Sequence, residues 1–164
     1  MAVKDIKTST RATEAKQDSQ VINDFSILVA TPNGSGSQTS NLVLLRSLFK
    51  MGIPSNGKNL FPSNIQGMPT WYTIRCSQDG YVAWQEDAEI AVLMNPETVA
   101  NDMAKLKHGG VCFYPESAGY ELTREDLTYY PMPVKELSKQ ADVSTSMRTY
   151  IANMVYVGVL SQML

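Results

Sequence analysis

The run FSILVATPNGSGSQTSNLVLLRSLFK, residues 25–50, sets the architecture of this chain. Residues 25–30 form an almost continuous β-favouring segment, as expected for a strand buried on both faces of a parallel sheet. Residues 31–37 interrupt it with proline and glycine. From Ser40, with Ser40 or Thr39 expected as the cap, apolar residues recur at helical spacing until the next glycine and proline. Strand, glycine loop and helix in this order predict the opening of an α/β unit.

Later segments continue the alternation of strands and helices. Residues 71–76 predict a strand, with residues 81–84 as its hairpin partner across a short turn. Residues 89–94 predict another buried strand. A helix is expected over residues 96–106, opened by proline and ended by the cation and glycines of residues 107–110.

The C-terminal part predicts two strands, at residues 110–114 and 127–130, and a last helix. One apolar stripe of that helix is expected to face the core, with its glycine allowing a close approach to a neighbour. The stripe consists of Met147, Tyr150, Ile151, Met154, Val155 and Gly158. Together the segments predict a Rossmann-like α/β fold: a largely parallel sheet, helices on both faces and room for one antiparallel hairpin.

Composition limits the number of domains and the class of protein. The chain has 164 residues, of which 43% are hydrophobic, enough for one compact domain. Residues 1–23 are polar without an apolar period and are expected to be a flexible arm before a domain at residues 24–164. No apolar run approaches the length of a membrane span, so we expect a cytoplasmic protein with no membrane contact. Cys76 and Cys112 are expected to be buried, reduced thiols.

Charge is distributed unevenly along the sequence. Residues 25–78 contain no acidic residue but hold Arg46, Lys50, Lys58 and Arg75, in a chain whose net charge is -2. An acid-free segment of this length suggests a surface suited to an anionic partner. A nucleic-acid partner is not expected, because the chain is net acidic and lacks a dense basic stripe.

The first candidate site is the loop between the opening strand and helix. Its residues are Asn33, Gly34, Ser35, Gly36, Ser37 and Gln38. Backbone amides at such a position can bind a phosphate or carboxylate. A dinucleotide fingerprint is incomplete, because Thr39 replaces the third glycine and the ribose-binding acid is missing. The loop can equally be a tight turn that only needs glycine for its backbone angles.

The second candidate site is the block of residues 57–75, which mixes cations, amides, glycine, proline and aromatics. The candidate ligand-binding or interface residues are Lys58, Asn59, Asn64, Gln66 and Arg75. The alternative is an irregular crossover whose amides satisfy their own backbone. We expect no catalytic residue and no metal ligand, since no nucleophile has a recognisable base and His108, the only histidine, is placed at a helix end.

Several segments together closely resemble one protein family. They are residues 23–38, 44–54, 57–75, 94–96, 109–111, 114–115 and 153–158. This pattern resembles the gamma domain of thiamine-dependent 2-oxoacid:ferredoxin oxidoreductases, and in particular the form fused to the alpha subunit in 2-oxoglutarate-type enzymes. The resemblance covers nearly everything after Asn23, and the block at residues 57–75 is its most specific part.

The resemblance implies a non-catalytic part of an enzyme that decarboxylates a 2-oxoacid, joins the acyl group to coenzyme A and passes two electrons to ferredoxin. It implies that alpha and beta subunits or domains are partners, and that thiamine diphosphate with Mg and the iron–sulfur clusters are held by them. Both candidate sites would then border the coenzyme A or substrate channel.

Two other functions stay open from the sequence. The chain can be a stand-alone module that binds a nucleotide or coenzyme A, or a structural subunit without ligand contact. Relatives of this kind continue past the last helix, so we expect a C-terminally truncated domain. The apolar surface left uncovered predicts self-association of the isolated chain.

Overall fold

A computed structural model of the chain describes residues 23–144 and 147–164, so most of the expected arm, residues 1–22, lies outside the described part. The strands are β1 Asp24–Pro32, β2 Ser55–Leu60, β3 Pro69–Ser77, β4 Ala88–Leu93, β5 Leu106–Pro115 and β6 Thr128–Met132. The helices are α1 Ser37–Lys50, α2 Val99–Ala104, α3 Val134–Gln140 and α4 Arg148–Met163. Among these helices, none combines the length and apolar character needed to cross a bilayer.

The six strands form one sheet in the order β2-β3-β1-β4-β5-β6. β1, β4, β5 and β6 pair in parallel, while β3 runs antiparallel to both of its neighbours, β1 and β2. Five strands therefore point one way and β3 points the other. The predicted α/β class, the largely parallel sheet and the presence of one antiparallel hairpin are confirmed.

Alternate residues of the central strand β1 enter two separate cores. Ile27 and Val29 pack with α1, α3 and α4 on one face of the sheet, and Leu28 packs with α2 on the other. All three side chains are almost completely buried. A strand buried on both faces needs the continuous apolar run that opens the fold, which is why this strand was predictable.

The predicted hairpin partner of β3 is wrong. Residues 81–84 form no strand, and β2 pairs with β3 instead, from Ser55 opposite Cys76 to Leu60 opposite Trp71. The strand SNGKNL lacks the apolar alternation that marks a strand, because β2 is an edge strand and most of it is partly exposed. The block at residues 57–75 is accordingly a hairpin with a tip at residues 61–68 rather than one long loop.

The predicted start of α1 is also too late. The helix begins at Ser37 with Gly36 at the cap position, and neither Thr39 nor Ser40 caps it. Gly36 has a φ of 78°, a left-handed conformation that favours glycine. The backbone angle of the glycine turn, and not a hydroxyl side chain, sets the start of the helix.

His108 lies in a strand, which corrects its placement at a helix end. α2 ends at Ala104, and β5 already begins at Leu106. Gly109, with a φ of 76°, sits where the pairing of β4 and β5 shifts register. Such an irregularity lets a strand continue through a glycine pair, which by sequence alone resembles a helix terminus.

The predicted core-facing stripe of α4 is wrong in part. Val155 packs against the core as expected, but Tyr150 and Met154 are exposed, and the fully buried apolar side chains of the helix are Tyr156 and Leu160. A β-carbon at Gly158 would meet no atom of the described residues within 4 Å; the glycine lines an open apolar groove between α4, α3 and the outer strands. The helix is apolar on most sides, so periodicity could not identify the buried face.

Candidate functional site

The two candidate loops lie against each other at the carboxyl end of β1. The backbone N–H of Asn33 donates to the Met68 carbonyl at 2.7 Å, and Gly67 N–H donates to the Asn33 carbonyl at 2.9 Å. The Asn33 side-chain amide donates to the carbonyls of Ser63 at 3.2 Å and Ile65 at 3.1 Å. Asn33 thus fixes the hairpin tip, residues 61–68, to the glycine turn through four hydrogen bonds.

Between the two loops is a cleft of about 430 Å³. Its lining combines backbone and side-chain donors with aromatic rings: Thr31, Asn33, Gly34, Gly36, Ser37, Gln38, Asn41, Asn59, Phe61, Asn64, Thr70, Trp71, Tyr72 and Tyr150. Among the residues that the structure describes, this lining contains no Asp, Glu, Lys, Arg or His. No side chain caps α1, so the backbone amides of its first turn have no acceptor within the helix.

α4 holds the glycine turn from outside the sheet. The Asn153 amide donates to the Ser35 carbonyl at 2.8 Å, and the Tyr156 hydroxyl donates to Asn41 Oδ1 at 2.8 Å. Burial raises the pKa of Tyr156, so its hydroxyl stays protonated and remains a donor. Tyr150, from the first turn of the same helix, lies directly over Gly36.

Most of the predicted site residues come together in this cleft. Asn33, Gly34, Gly36, Ser37, Gln38, Asn59 and Asn64 line it. The Gln66 side chain contacts Gly34 at the edge of the cleft. Ser35 takes part through its carbonyl, which accepts the hydrogen bond from α4.

The structure does not bring the predicted cations into the cleft. Arg75 pairs in register with Ser26, near the opposite end of β1, and is buried in an ion pair with Asp24. Lys58 lies on the edge strand with its Nζ atom 4.5 Å from the centre of the Trp84 ring, beside a second pocket. Arg75 therefore lies outside the cleft: its buried guanidinium pairs with the exposed Asp24 near the far end of β1, and its predicted place at a channel or interface stays a prediction.

The described residues do not fit an iron–sulfur cluster or a metal centre. Cys76 belongs to the core beside α1 and α4, whereas Cys112 belongs to the core beside α2, on opposite faces of the sheet. Burial raises the pKa of Cys76 to about 11 and that of Cys112 to about 12, so neither thiol is available as a thiolate at neutral pH. Within residues 23–144 and 147–164, no three His, Cys, Asp or Glu side chains converge on one point.

Sequence reasoning missed several residues that complete the site. Asn41 and Tyr72 line the cleft from α1 and β3, and Tyr150, Asn153 and Tyr156 support it from α4. Asn41 is a polar residue on the face of α1 that packs on the core, and this departure from the apolar pattern could have indicated a site residue. The contribution of α4 was not predictable, because the helix contacts the loop across more than one hundred residues of sequence.

Comparison with known proteins gives one family model that matches residues 26–164, described as pyruvate ferredoxin/flavodoxin oxidoreductase. The alpha subunit of 2-oxoacid:ferredoxin oxidoreductase 2 from Aeropyrum pernix is 24% identical over 134 residues. That match covers 80% of this chain but only 20% of the relative. The chain therefore spans about a fifth of the length of that subunit.

Solved structures share the fold. The 2-oxoglutarate:ferredoxin oxidoreductase from Magnetococcus marinus, solved with 2-oxoglutarate, coenzyme A and succinyl-CoA bound, has a TM-score of 0.73 at 24% identity, covering 87% of this chain and 24% of that one. A keto/oxoacid ferredoxin oxidoreductase gamma subunit from Geobacter sulfurreducens has a TM-score of 0.65 at 14% identity, and the match covers 83% of this chain and 75% of that subunit. Pyruvate oxidoreductase subunit PORC from Thermotoga maritima has a TM-score of 0.62 at 13% identity, and the match covers 86% of this chain and 76% of that subunit.

Proposed function

The chain belongs to the pyruvate ferredoxin/flavodoxin oxidoreductase family, and we propose that it is the gamma domain of a 2-oxoacid:ferredoxin oxidoreductase. The proposed complex removes carbon dioxide from a 2-oxoacid, transfers the acyl group to coenzyme A and passes the two electrons to ferredoxin. 2-Oxoglutarate is the substrate that we would test first, because the Magnetococcus marinus enzyme was solved with it.

One observation carries the proposed role of this domain: the two polar loops meet in a single cleft. The described residues of the cleft supply amide and hydroxyl donors and no carboxylate, so a bound carboxylate or phosphate meets hydrogen-bond donors without like-charge repulsion from them. Donors on a braced loop are already oriented before the ligand arrives. We expect the cleft to orient an anionic part of coenzyme A or of the oxoacid, since a misplacement of about 1 Å can cost on the order of a hundredfold in rate.

The redox chemistry belongs to other parts of the proposed complex. Thiamine diphosphate with Mg and iron–sulfur clusters are the groups that such an enzyme uses, and the described residues offer no thiolate set or carboxylate cluster to hold them. We place these groups in the partner alpha and beta subunits or domains. The contribution of this chain is to position reactants.

The first experiment tests the role of the cleft in the assembled enzyme. Asn64→Ala removes an exposed amide from the hairpin tip, and Asn101→Ala removes an exposed amide from α2 on the other side of the sheet. Loss of one hydrogen bond to the ligand should raise the Michaelis constant for coenzyme A or the oxoacid by about two- to tenfold. The Asn101 variant should match the wild type. Equal constants for all three proteins, with intact assembly, would exclude Asn64 from ligand binding.

The second experiment tests the complex itself. The tagged full chain is isolated from the cells that make it, and copurifying subunits are assayed for thiamine diphosphate and for reduction of a viologen dye with a panel of 2-oxoacids. The proposal requires both signals to copurify with the chain. A chain that purifies alone and binds coenzyme A or a nucleotide at micromolar concentration through the cleft would instead establish the stand-alone module.

A further inference from the structure

A second pocket, of about 400 Å³, lies on the opposite face of the hairpin sheet from α1 and α4. The cross-strand register puts Lys58, Thr73 and Leu28 in one row, and the side chains of Leu60 and Trp71 face the same way in the next. α2 packs over β4 and β5, and none of the described helices covers this part of the sheet. The uncovered face becomes the floor of the pocket.

Both tryptophans of the chain form walls of this pocket. The indole N–H of Trp71 donates to Asp102 Oδ1 at 2.7 Å, and the Thr98 hydroxyl donates to Asp102 Oδ2 at 2.5 Å. Asp102 is 0% exposed, so this arrangement holds the Trp71 ring firmly in one orientation. Trp84 comes from the irregular segment at residues 81–87 and is 44% exposed, which is unusual for so large an apolar surface.

Charged groups lie in and beside the pocket. Glu86 and Lys105 line it, and the Lys105 Nζ atom lies 5.2 Å from the ring centre of Trp71. Lys58 lies beside it, with its Nζ atom 4.5 Å from the ring centre of Trp84. Among the ion pairs formed by the described residues, none includes these three side chains, so both ammonium groups can receive an anion.

We propose that this pocket binds an aminopurine nucleotide. Indole faces stack on a planar base, with about 1–3 kcal/mol of free energy per stacked base. The two ammonium groups supply charge-assisted hydrogen bonds to a phosphate, and the Glu86 carboxylate can accept from the exocyclic amine of the base. This site is distinct from the polar cleft, although Phe61 and Trp71 line both, and its occupation does not depend on the proposed oxidoreductase function.

Fluorescence provides a test, because Trp71 and Trp84 are the only tryptophans of the chain and both line the pocket, and Trp84, unlike Trp71, is not in the lining of the polar cleft. The purified full chain, excited at a wavelength selective for tryptophan, is titrated with adenosine 5′-monophosphate, inosine 5′-monophosphate and adenosine. We expect saturable quenching by the adenosine monophosphate. Affinity should be about tenfold lower for adenosine, which lacks the phosphate, and about tenfold lower for the inosine nucleotide, which lacks the amine.

Variants distinguish the contribution of the two lysine charges at the pocket from a general effect of removing a surface lysine. The double variant Lys58→Ala with Lys105→Ala should weaken binding by about tenfold or more, whereas Lys139→Ala, an exposed lysine on α3, should leave it unchanged. Circular dichroism checks that each variant is folded, and Trp84→Phe should reduce the fluorescence change without unfolding the chain.

Four results would overturn the proposal. They are the absence of saturable quenching up to millimolar nucleotide, equal affinity for adenosine and its monophosphate, equal affinity for the adenosine and inosine monophosphates, and equal binding by the double lysine variant and the Lys139 control. None of these results bears on the oxidoreductase proposal, because the titration needs neither partner subunits nor a 2-oxoacid.

Discussion

Gly36 combines two constraints in one residue. Its backbone has a φ of 78°, and a β-carbon at this position would overlap the ring of Tyr150. Both the turn into α1 and the approach of α4 to the cleft therefore require a residue without a side chain. Gly80 has nearly the same backbone angle, a φ of 79°, but open space where a β-carbon would be.

This pair of glycines separates backbone strain from steric overlap. Gly80→Ala should cost about 1–2 kcal/mol of unfolding free energy from the left-handed backbone alone. Gly36→Ala should cost at least about 1 kcal/mol more, because the Tyr150 ring must also move. Urea denaturation measures the unfolding free energy of both variants. Tyr150→Ala in the Gly36→Ala background should recover the additional loss; if it does not, the ring is not the obstacle.

The two thiols give a prediction on reactivity. Burial raises the pKa of Cys76 to about 11 and that of Cys112 to about 12, so at pH 8 both should resist a disulfide reagent such as Ellman's in the folded chain. In guanidinium chloride, two thiols per chain should react. Because the unfolded thiols ionise at lower pH than the folded ones, stability should fall as the pH rises above about 9. A fast-reacting thiol in the native state would contradict the assigned burial.

At the scale of elements, α4 acts as a support for the polar cleft. Its buried polar residues Asn153 and Tyr156 bond to the glycine turn and to α1, while its apolar residues pack on the sheet. A helix that packs on a core with apolar side chains alone would fix its own position but not the orientation of the loop. The two polar side chains add directed bonds to that packing.

Tyr156→Phe tests this support. The substitution leaves the Asn41 side-chain oxygen buried without the donor it has in the wild type, which should cost about 1–3 kcal/mol of unfolding free energy. Tyr81→Phe is the matched control, since Tyr81 is 78% exposed and should change stability by less than about 0.5 kcal/mol. Denaturant titration compares the three proteins. Equal stability of both variants would mean that the hydroxyl bond contributes nothing to the fold.

At the scale of the whole molecule, the central position of β1 decides which parts of the chain are rigid. β1 is paired on both edges and covered on both faces, whereas residues 81–87 form no regular structure and are largely exposed. The tryptophan pocket has one wall of each kind, since Trp71 belongs to the sheet and Trp84 to the irregular segment. The polar cleft rests on the rigid strand and on a loop braced by hydrogen bonds.

Hydrogen exchange should reproduce this division. Amides of β1 and β4 should exchange slowest, because they open only when the sheet unfolds, and amides of residues 81–87 should exchange orders of magnitude faster. Mass spectrometry of peptides after timed exchange resolves these regions. Slower exchange in the outermost strand β6 than in β1 would be inconsistent with the central role of β1.

Local sequence pattern accounts for much of the architecture of this protein. The apolar run at residues 25–30, the glycine turn and the following helix predicted the α/β fold and the position of the first candidate loop. This was possible because the backbone angles of a segment, and the period at which its residues are buried, depend mainly on residues that are close in sequence. The resemblance to the family extended this to function. These features depend on interactions over a few residues, which a sequence displays directly.

Long-range packing, in contrast, determines which elements pair and where the charges lie. β3 pairs with β2 rather than with residues 81–84, α4 buries Tyr156 rather than its longest apolar stripe, and Arg75 lies in an ion pair far from the cleft. Each of these arrangements depends on long-range contacts, whose free energies depend on the three-dimensional geometry. The sequence of an edge strand, or of a helix that is apolar on most sides, has no periodic pattern that indicates which partner or face is buried. The cleft and the tryptophan pocket belong to this second class, since each assembles residues that are distant in the chain.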